Sequence, residues 1–203
     1  MVEAKACDLV TVGSWKILTS RIIYMHHVSL FPLPKIEMEA GFSFKVAWRR
    51  ICNSALSSSG REILYLLVHN KLPVQERMFR IRLASDPYCV YCLDAVFNDV
   101  EHFFCKCCRV SLVWDKVRTM LLGLWGVDSV KLSDLEIISL LFTTINGDKE
   151  SVWLIGNYVG EVWEELHVRG GSGLREDQFF GFLRFKYKMA QECGPLLGFI
   201  PGL

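Results

Sequence analysis

The chain has 203 residues, 51% of them apolar, with 23 Lys and Arg against 22 Asp and Glu. That apolar share can fill the core of one or two packed units and excludes disorder as the dominant state, while a net charge of +1 removes any bulk electrostatic case for nucleic acid or membrane binding. No apolar run approaches the roughly 18 residues that a membrane span needs, and the two greasiest segments, 63–68 and 137–142, read as core.

Glu3, Lys5 and Asp8 interrupt the first residues, so no secretory leader is expected and the setting predicted is intracellular and reducing, in nucleus or cytoplasm. Residues 1–42 are expected to be irregular or extended. Pro32 and Pro34 and the lack of any period make 28–41 a connector.

Residues 43–126 are predicted to be a helical region. Phe44, Ala47, Trp48, Ile51 and Ala55 recur at three- and four-residue spacings, giving a helix over 44–56. Ser57, Ser58, Ser59 and Gly60 supply stop and cap signals before a second helix over 61–71. Pro73 suits the first turn of a third, running to about Ala84, and Asp86-Pro87 ends it. From Val100 one apolar stripe through Phe103, Phe104, Val110, Val113, Trp114, Val117 and Leu121 predicts helix up to Gly123 and Gly126.

Residues 127–203 are predicted to be a helical C-terminal extension. Ser133 is a candidate cap for a helix over 134–143, followed by a turn at Asn146-Gly147-Asp148. Two further helices, 152–167 and 178–192, flank a Gly170-Gly171-Ser172-Gly173 sequence that reads as a flexible linker. The fold class expected is therefore mainly α: short helices around a small irregular knuckle loop, with a helical tail.

Eight cysteines in a chain expected to stay reduced argue against a disulfide framework, and five of the eight fall between Cys89 and Cys108. Cys89-Val90-Tyr91-Cys92 is a C-x2-C knuckle whose two sulfurs can converge on one ion from a single tight turn. His102 and Cys107 follow at H-x4-C and complete a closed Cys3His set for one structural zinc ion. Cys105 and Cys108, each within a turn of Cys107, compete with it for the last place. Four protein ligands leave no position for a catalytic water, and the ion would supply folding free energy to a loop, 88–98, with little apolar content.

Leu72-Pro73, Asp86-Pro87-Tyr88-Cys89-x2-Cys92, and Glu101-His102-Phe103-Phe104 with Cys107 and Trp114 together resemble the zinc-binding region that follows the polymerase in reverse transcriptases of LINE-like, non-LTR retrotransposons. The resemblance covers about 63–117. Such proteins often carry Glu-Thr four and three residues before the histidine, where this chain has Asn98 and Asp99, and the extra Cys105 and Cys108 also depart from the pattern. Residues 152–164 are similar to C-terminal tails of such element-encoded proteins. The resemblance implies a C-terminal fragment without polymerase or endonuclease; the paired-aspartate motif of such polymerases is missing, since no Asp-Asp dipeptide occurs.

It also implies contact with RNA or single-stranded DNA. Lys71, Arg77, Arg80 and Arg82 before the knuckle and Lys106 and Arg109 after it are six candidate contacts, with Tyr88 and Tyr91 as stacking surfaces. Glu76, Asp86, Asp94, Asp99 and Glu101 nearly cancel those charges, so a solvated mixed face competes with this reading. The alternative is a structural module docking on the upstream reverse transcriptase domain through apolar faces rich in Phe and Trp. No membrane partner is expected. A catalytic reading is weakest, because no orienting acid accompanies His26, His27, His69 or His167 at a recognisable spacing.

Overall fold

Helix α1, Phe44–Asn53, forms where the three- and four-residue spacing predicts it, burying Ala47 and Ile51 and setting Trp48 edge-on against Tyr65 at 5.6 Å. Helix α2, Ser58–Val68, begins three residues earlier than expected. The Ser57 hydroxyl accepts the Gly60 N–H at 3.2 Å, so Ser58, Ser59 and Gly60 are its first turn and not a linker. Asn70, at φ 51°, turns the chain out of it.

Helix α3 is only Gln75–Arg80, shorter than the predicted 73–84. Arg82 sits at φ 62°, and the Leu83 N–H returns to the Met78 carbonyl, so the helix closes on itself before the periodicity runs out. The stripe from Val100 is also not one helix. It starts as a helical turn, passes into a π turn over His102–Lys106, breaks at an extended Cys107 (φ −60°, ψ 136°) and resumes as α4, Ser111–Trp125, which Gly126 ends at φ 67°.

Ser133 and Glu136 form a reciprocal capping box on α5, Asp134–Ile138. This helix is shorter than the 134–143 expected, because Leu140 takes φ 60°. Helix α6, Asp148–Trp163, runs into a second π turn, Glu164–Val168, and α7 is Glu176–Glu192. The structure, a computed structural model, describes residues 44–53, 56–129, 131–140, 148–171, 173–192, 198, 200 and 203. The irregular segment expected over 1–42, the end of the helix expected over 134–143, and Asn146 and Gly147 of the expected turn lie outside the described residues.

Helix α6 is the axis on which α1, α2, α4 and α7 pack. Every residue from Ser151 to Val159 is buried, as is Val162, so the helix is enclosed on all sides rather than on one stripe. It meets α2 and the residue just before it closely: a Cβ on Gly156 would lie 3.2 Å from Leu64 Cδ1 and 2.3 Å from Leu56 Cδ2, which explains glycine there. Arg50 ties α1 to the start of α6 through Asp148 at 2.8 Å and also donates to the Leu140 carbonyl at 2.6 Å. Within the unit formed by residues 34–203, one apolar core runs from Ala47 through Leu64, Phe104, Trp114 and Tyr158 to Leu183 and Ile200. Each large side chain wholly withdrawn from water there contributes on the order of 2 kcal/mol.

The glycine-rich segment differs from the flexible linker expected. Gly170 and Gly173 occupy φ 60° and 119°, and a Cβ on Gly171 would fall 1.9 Å from Glu165 Oε1. Leu174 donates its N–H to the Arg109 carbonyl at 3.1 Å, so the segment is packed in place. The fold is mostly helical, with no strand among the described residues, and no described helix is long and apolar enough to cross a membrane.

Candidate metal centre

Residues 87–98 close a small hairpin. The Cys89 N–H donates to the Val96 carbonyl at 2.8 Å and the Asn98 N–H to the Pro87 carbonyl at 2.9 Å, pairing Tyr88 with Phe97 in a single antiparallel bridge. Asp86 starts it, its carboxylate accepting the Tyr88 N–H at 3.1 Å in an Asx turn. The Cys89–Cys92 knuckle lies inside this ring.

The other half of the site comes from the π turn. In a regular helix, at about 100° per residue, positions five apart point some 140° from one another. Between His102 and Cys107 the Cys107 N–H bonds the His102 carbonyl at 2.7 Å, an i→i+5 closure that widens the turn and returns both side chains to one face. The H-x4-C spacing thus depends on a local departure from α geometry. Asp99 starts the segment, its carboxylate accepting the His102 N–H at 2.7 Å and its carbonyl the Phe103 N–H at 2.9 Å. That is the N-cap role for which threonine is also suited, so Asp99 provides it at the place where the resemblance led to Thr.

These two pieces bring Cys89, Cys92, His102 and Cys107 together, all four ligand atoms lying within 4.8 Å of one another. Cys89 and Cys107 sulfurs are 3.8 Å apart, Cys92 and Cys107 4.0 Å, and Cys92 Sγ is 3.5 Å from His102 Nε2. A tetrahedral zinc with its usual bond lengths requires edges of about 3.8 Å between sulfurs and about 3.6 Å from sulfur to nitrogen. Three of the six donor–donor edges therefore stand near the spacing of a closed tetrahedron, the remaining pairs lying within 4.8 Å, and three thiols with an imidazole suit zinc chemically.

Burial shapes their protonation. His102 is held below the usual imidazole range by burial, against the opposing pull of Asp99, which favours the neutral ring that a metal requires. Burial also drives the Cys107 thiol well up. Burial would raise Cys92 too, but hydrogen bonds from the Cys108 backbone and thiol outweigh it and leave Cys92 below its ordinary value.

Of the two competing cysteines, Cys105 points away from the site. It is 3% exposed within the apolar core, where burial pushes its thiol far up. Cys108 is exposed and borders the cluster: its sulfur lies 3.7 Å from Cys92 Sγ and donates to the Tyr91 carbonyl at 3.4 Å.

Residues 37–114 match the family model described as zinc-binding in reverse transcriptase. No curated protein and no solved structure matches the chain. The matched stretch holds all four cluster residues and ends on Trp114, whose buried ring packs 5.3 Å from that of Tyr158 on α6. The core around the matched stretch is thus completed by chain beyond it. Tyr158 donates its hydroxyl to the Phe104 carbonyl inside the π turn, and Phe103 lies 5.6 Å from Trp163. Sequence reasoning missed these braces; the clustered Trp and Tyr of 153–163 were the only sign of them.

The six candidate nucleic-acid residues are spread over the same region. Arg80 pairs with Glu76 at 2.6 Å and Lys106 with Glu101 at 3.0 Å. Arg77 donates to the Asn70 carbonyl at 3.0 Å, and the Arg109 guanidinium sits 5.9 Å over the Tyr91 ring. Lys71 and Arg82 are exposed. Tyr88 is partly covered by Phe97 at 5.3 Å.

Proposed function

We propose that this chain is a non-catalytic zinc-binding segment from the C-terminal part of a LINE-like retrotransposon reverse transcriptase. In this reading Cys89, Cys92, His102 and Cys107 hold one structural zinc ion, and the braced surface assists RNA or DNA binding. The observation that carries it is the convergence of four protein donors within 4.8 Å of one another, inside a stretch that matches a zinc-binding region of reverse transcriptases. Four protein ligands leave no coordination site for a reacting water, which favours a structural ion. Metal analysis of the purified chain tests the site: one zinc per chain is expected, falling towards zero in Cys92→Ser, and an unchanged count in that variant refutes the ligand.

The nucleic-acid part rests on Lys71, Arg80, Arg82 and Lys106, exposed cations that flank the hairpin in sequence. Binding to single-stranded RNA at low salt, weakening as salt rises and in Arg80→Ala/Arg82→Ala, is the expected result. Affinity indistinguishable from that of a neutral control protein removes this part and leaves the zinc site standing.

A second reading, docking on an upstream polymerase domain, is favoured by a separate observation. Phe79, Ile81, Leu83, Val90, Leu93 and Phe97, on or near the hairpin, are all exposed, with Leu93 wholly so. Self-association of the isolated chain that is relieved by an added polymerase fragment would support it over the first.

A further inference from the structure

Cys108 stands next to the four-donor cluster without belonging to it. Its sulfur is 3.7 Å from that of Cys92, as close as the distances between the cluster's own thiols, and it is held there by a bond to the Tyr91 carbonyl at 3.4 Å. Cys108 is exposed whereas Cys89 and Cys107 are buried, so this pair is the one that a small oxidant reaches first. The chain turns sharply at this point: Cys107 is extended, and the Val110 and Ser111 N–H groups both close on its carbonyl, which sends Cys107 inward and Cys108 out over the knuckle. Two thiols in van der Waals contact, one of them a ligand in the reading above, form a site for which a structural ion has no need.

We infer that Cys92 and Cys108 are a peroxide-sensitive thiol pair whose cross-linking withdraws one donor from the metal centre and releases the ion. The inference rests on the zinc reading proposed above. In the first step one thiol attacks the O–O bond of a hydroperoxide, forming an S–O bond and releasing water or alcohol, and becomes a sulfenic acid. In the second the other sulfur attacks that sulfenic sulfur; the S–S bond forms, the S–O bond breaks and water leaves. Starting from Cys92 as the metal-bound thiolate and Cys108 as the thiol, the pair gives up two electrons and one proton, a second proton comes from solvent, and the peroxide is reduced. Cys92 can then no longer serve as a thiolate, and Cys89, His102 and Cys107 alone make an open, weaker site. A thiol reductant reverses the step.

The test uses the full-length, zinc-loaded chain treated with hydrogen peroxide, following zinc release with a chromogenic chelator and mapping disulfides by mass spectrometry. A Cys92–Cys108 cross-link appearing together with release of the bound zinc, both reversed by dithiothreitol, is expected. Cys108→Ser should retain its zinc as purified and lose the cross-link and the rapid release. A zinc-loaded wild type that links other cysteines, or a Cys108→Ser chain that releases zinc as fast as wild type, overturns the inference and leaves the metal site intact. Cys108→Ser purified without zinc overturns it differently, by making Cys108 a ligand. A wild-type chain that never holds zinc overturns the metal site and the switch together.

Discussion

The Tyr91 hydroxyl, in the middle of the knuckle, donates to the Leu166 carbonyl at 2.8 Å, across 75 residues of sequence. Leu166 lies in the π turn that ends α6, where the terminal carbonyls need partners from outside the helix. Glu164 receives the Arg169 N–H at 2.9 Å, Glu165 the Gly171 N–H at 2.8 Å, and Leu166 receives Tyr91. The hairpin thus caps the helix that forms the axis of the core, and the helix fixes the hairpin in return.

Tyr91→Phe removes that bond and leaves the ring in place. The expected cost is about 1 kcal/mol, the net value of one such hydrogen bond, plus some penalty for the abandoned carbonyl. Chemical denaturation of the zinc-loaded protein should register it, with the zinc count unchanged. Loss of zinc in this variant would mean that the brace acts on the ligands themselves.

Cys105 and Cys107 are two residues apart and should behave oppositely. Cys107→Ala is expected to abolish stoichiometric zinc binding, whereas Cys105→Ala should keep its zinc and lose roughly 1 kcal/mol from a small cavity in the core. Zinc analysis of the two purified variants, with denaturation curves for Cys105→Ala, decides it. Cys105→Ala arriving without metal would reverse the assignment.

How much of this could be read from the sequence depended on whether a residue's role was local. The C-x2-C knuckle, the helix from Phe44, the Ser133 cap and the Gly126 stop are each set by residues within a turn of one another, and they appear where expected. The ends of α3 and α5 were not legible, because Arg82 and Leu140 take left-handed φ values that neither residue type favours. The choice among Cys105, Cys107 and Cys108 stayed open for a related reason. Only the π turn brings the fifth position after His102 back to the face that a regular helix would give to the third or fourth, and periodicity assumes regular helix. The tail's contribution to the core was hidden because its partners, such as Trp114 and Tyr158, are far apart in sequence.

Three histidines should make the fold sensitive to acid. Burial lowers the imidazoles of His69, His102 and His167 from their usual 6.5, with the Lys71 charge adding to the effect at His69. The unfolded chain then binds protons at a higher pH than the folded one. Stability from this source is complete above about 6.5 and declines as pH falls through the lower folded values. At His102 protons also compete directly with the metal. Denaturation midpoints and zinc retention should fall together between pH 7 and 5; a zinc-loaded protein equally stable at both ends of that range would contradict this account.

The family match ends at residue 114, yet the packing around it does not, and this makes a prediction about the smallest foldable piece. A chain ending at residue 147 keeps the four candidate ligands, α1 to α5 and the whole matched stretch. It lacks α6, so Leu64 of α2, Trp114 of α4 and Phe104 of the π turn lose the helix that packs against them. At about 2 kcal/mol for each large apolar side chain, uncovering several of them costs a sum comparable to the 5–15 kcal/mol by which a whole domain is stable. Zinc offsets part of that loss at the hairpin, where the ligands are, and none of it at α1 and α2. The truncated chain should therefore bind zinc weakly and unfold without a cooperative transition, as followed by near-UV circular dichroism against denaturant. A sharp transition close to that of the full chain would mean that the matched region is an autonomous domain and that α6 merely leans on it.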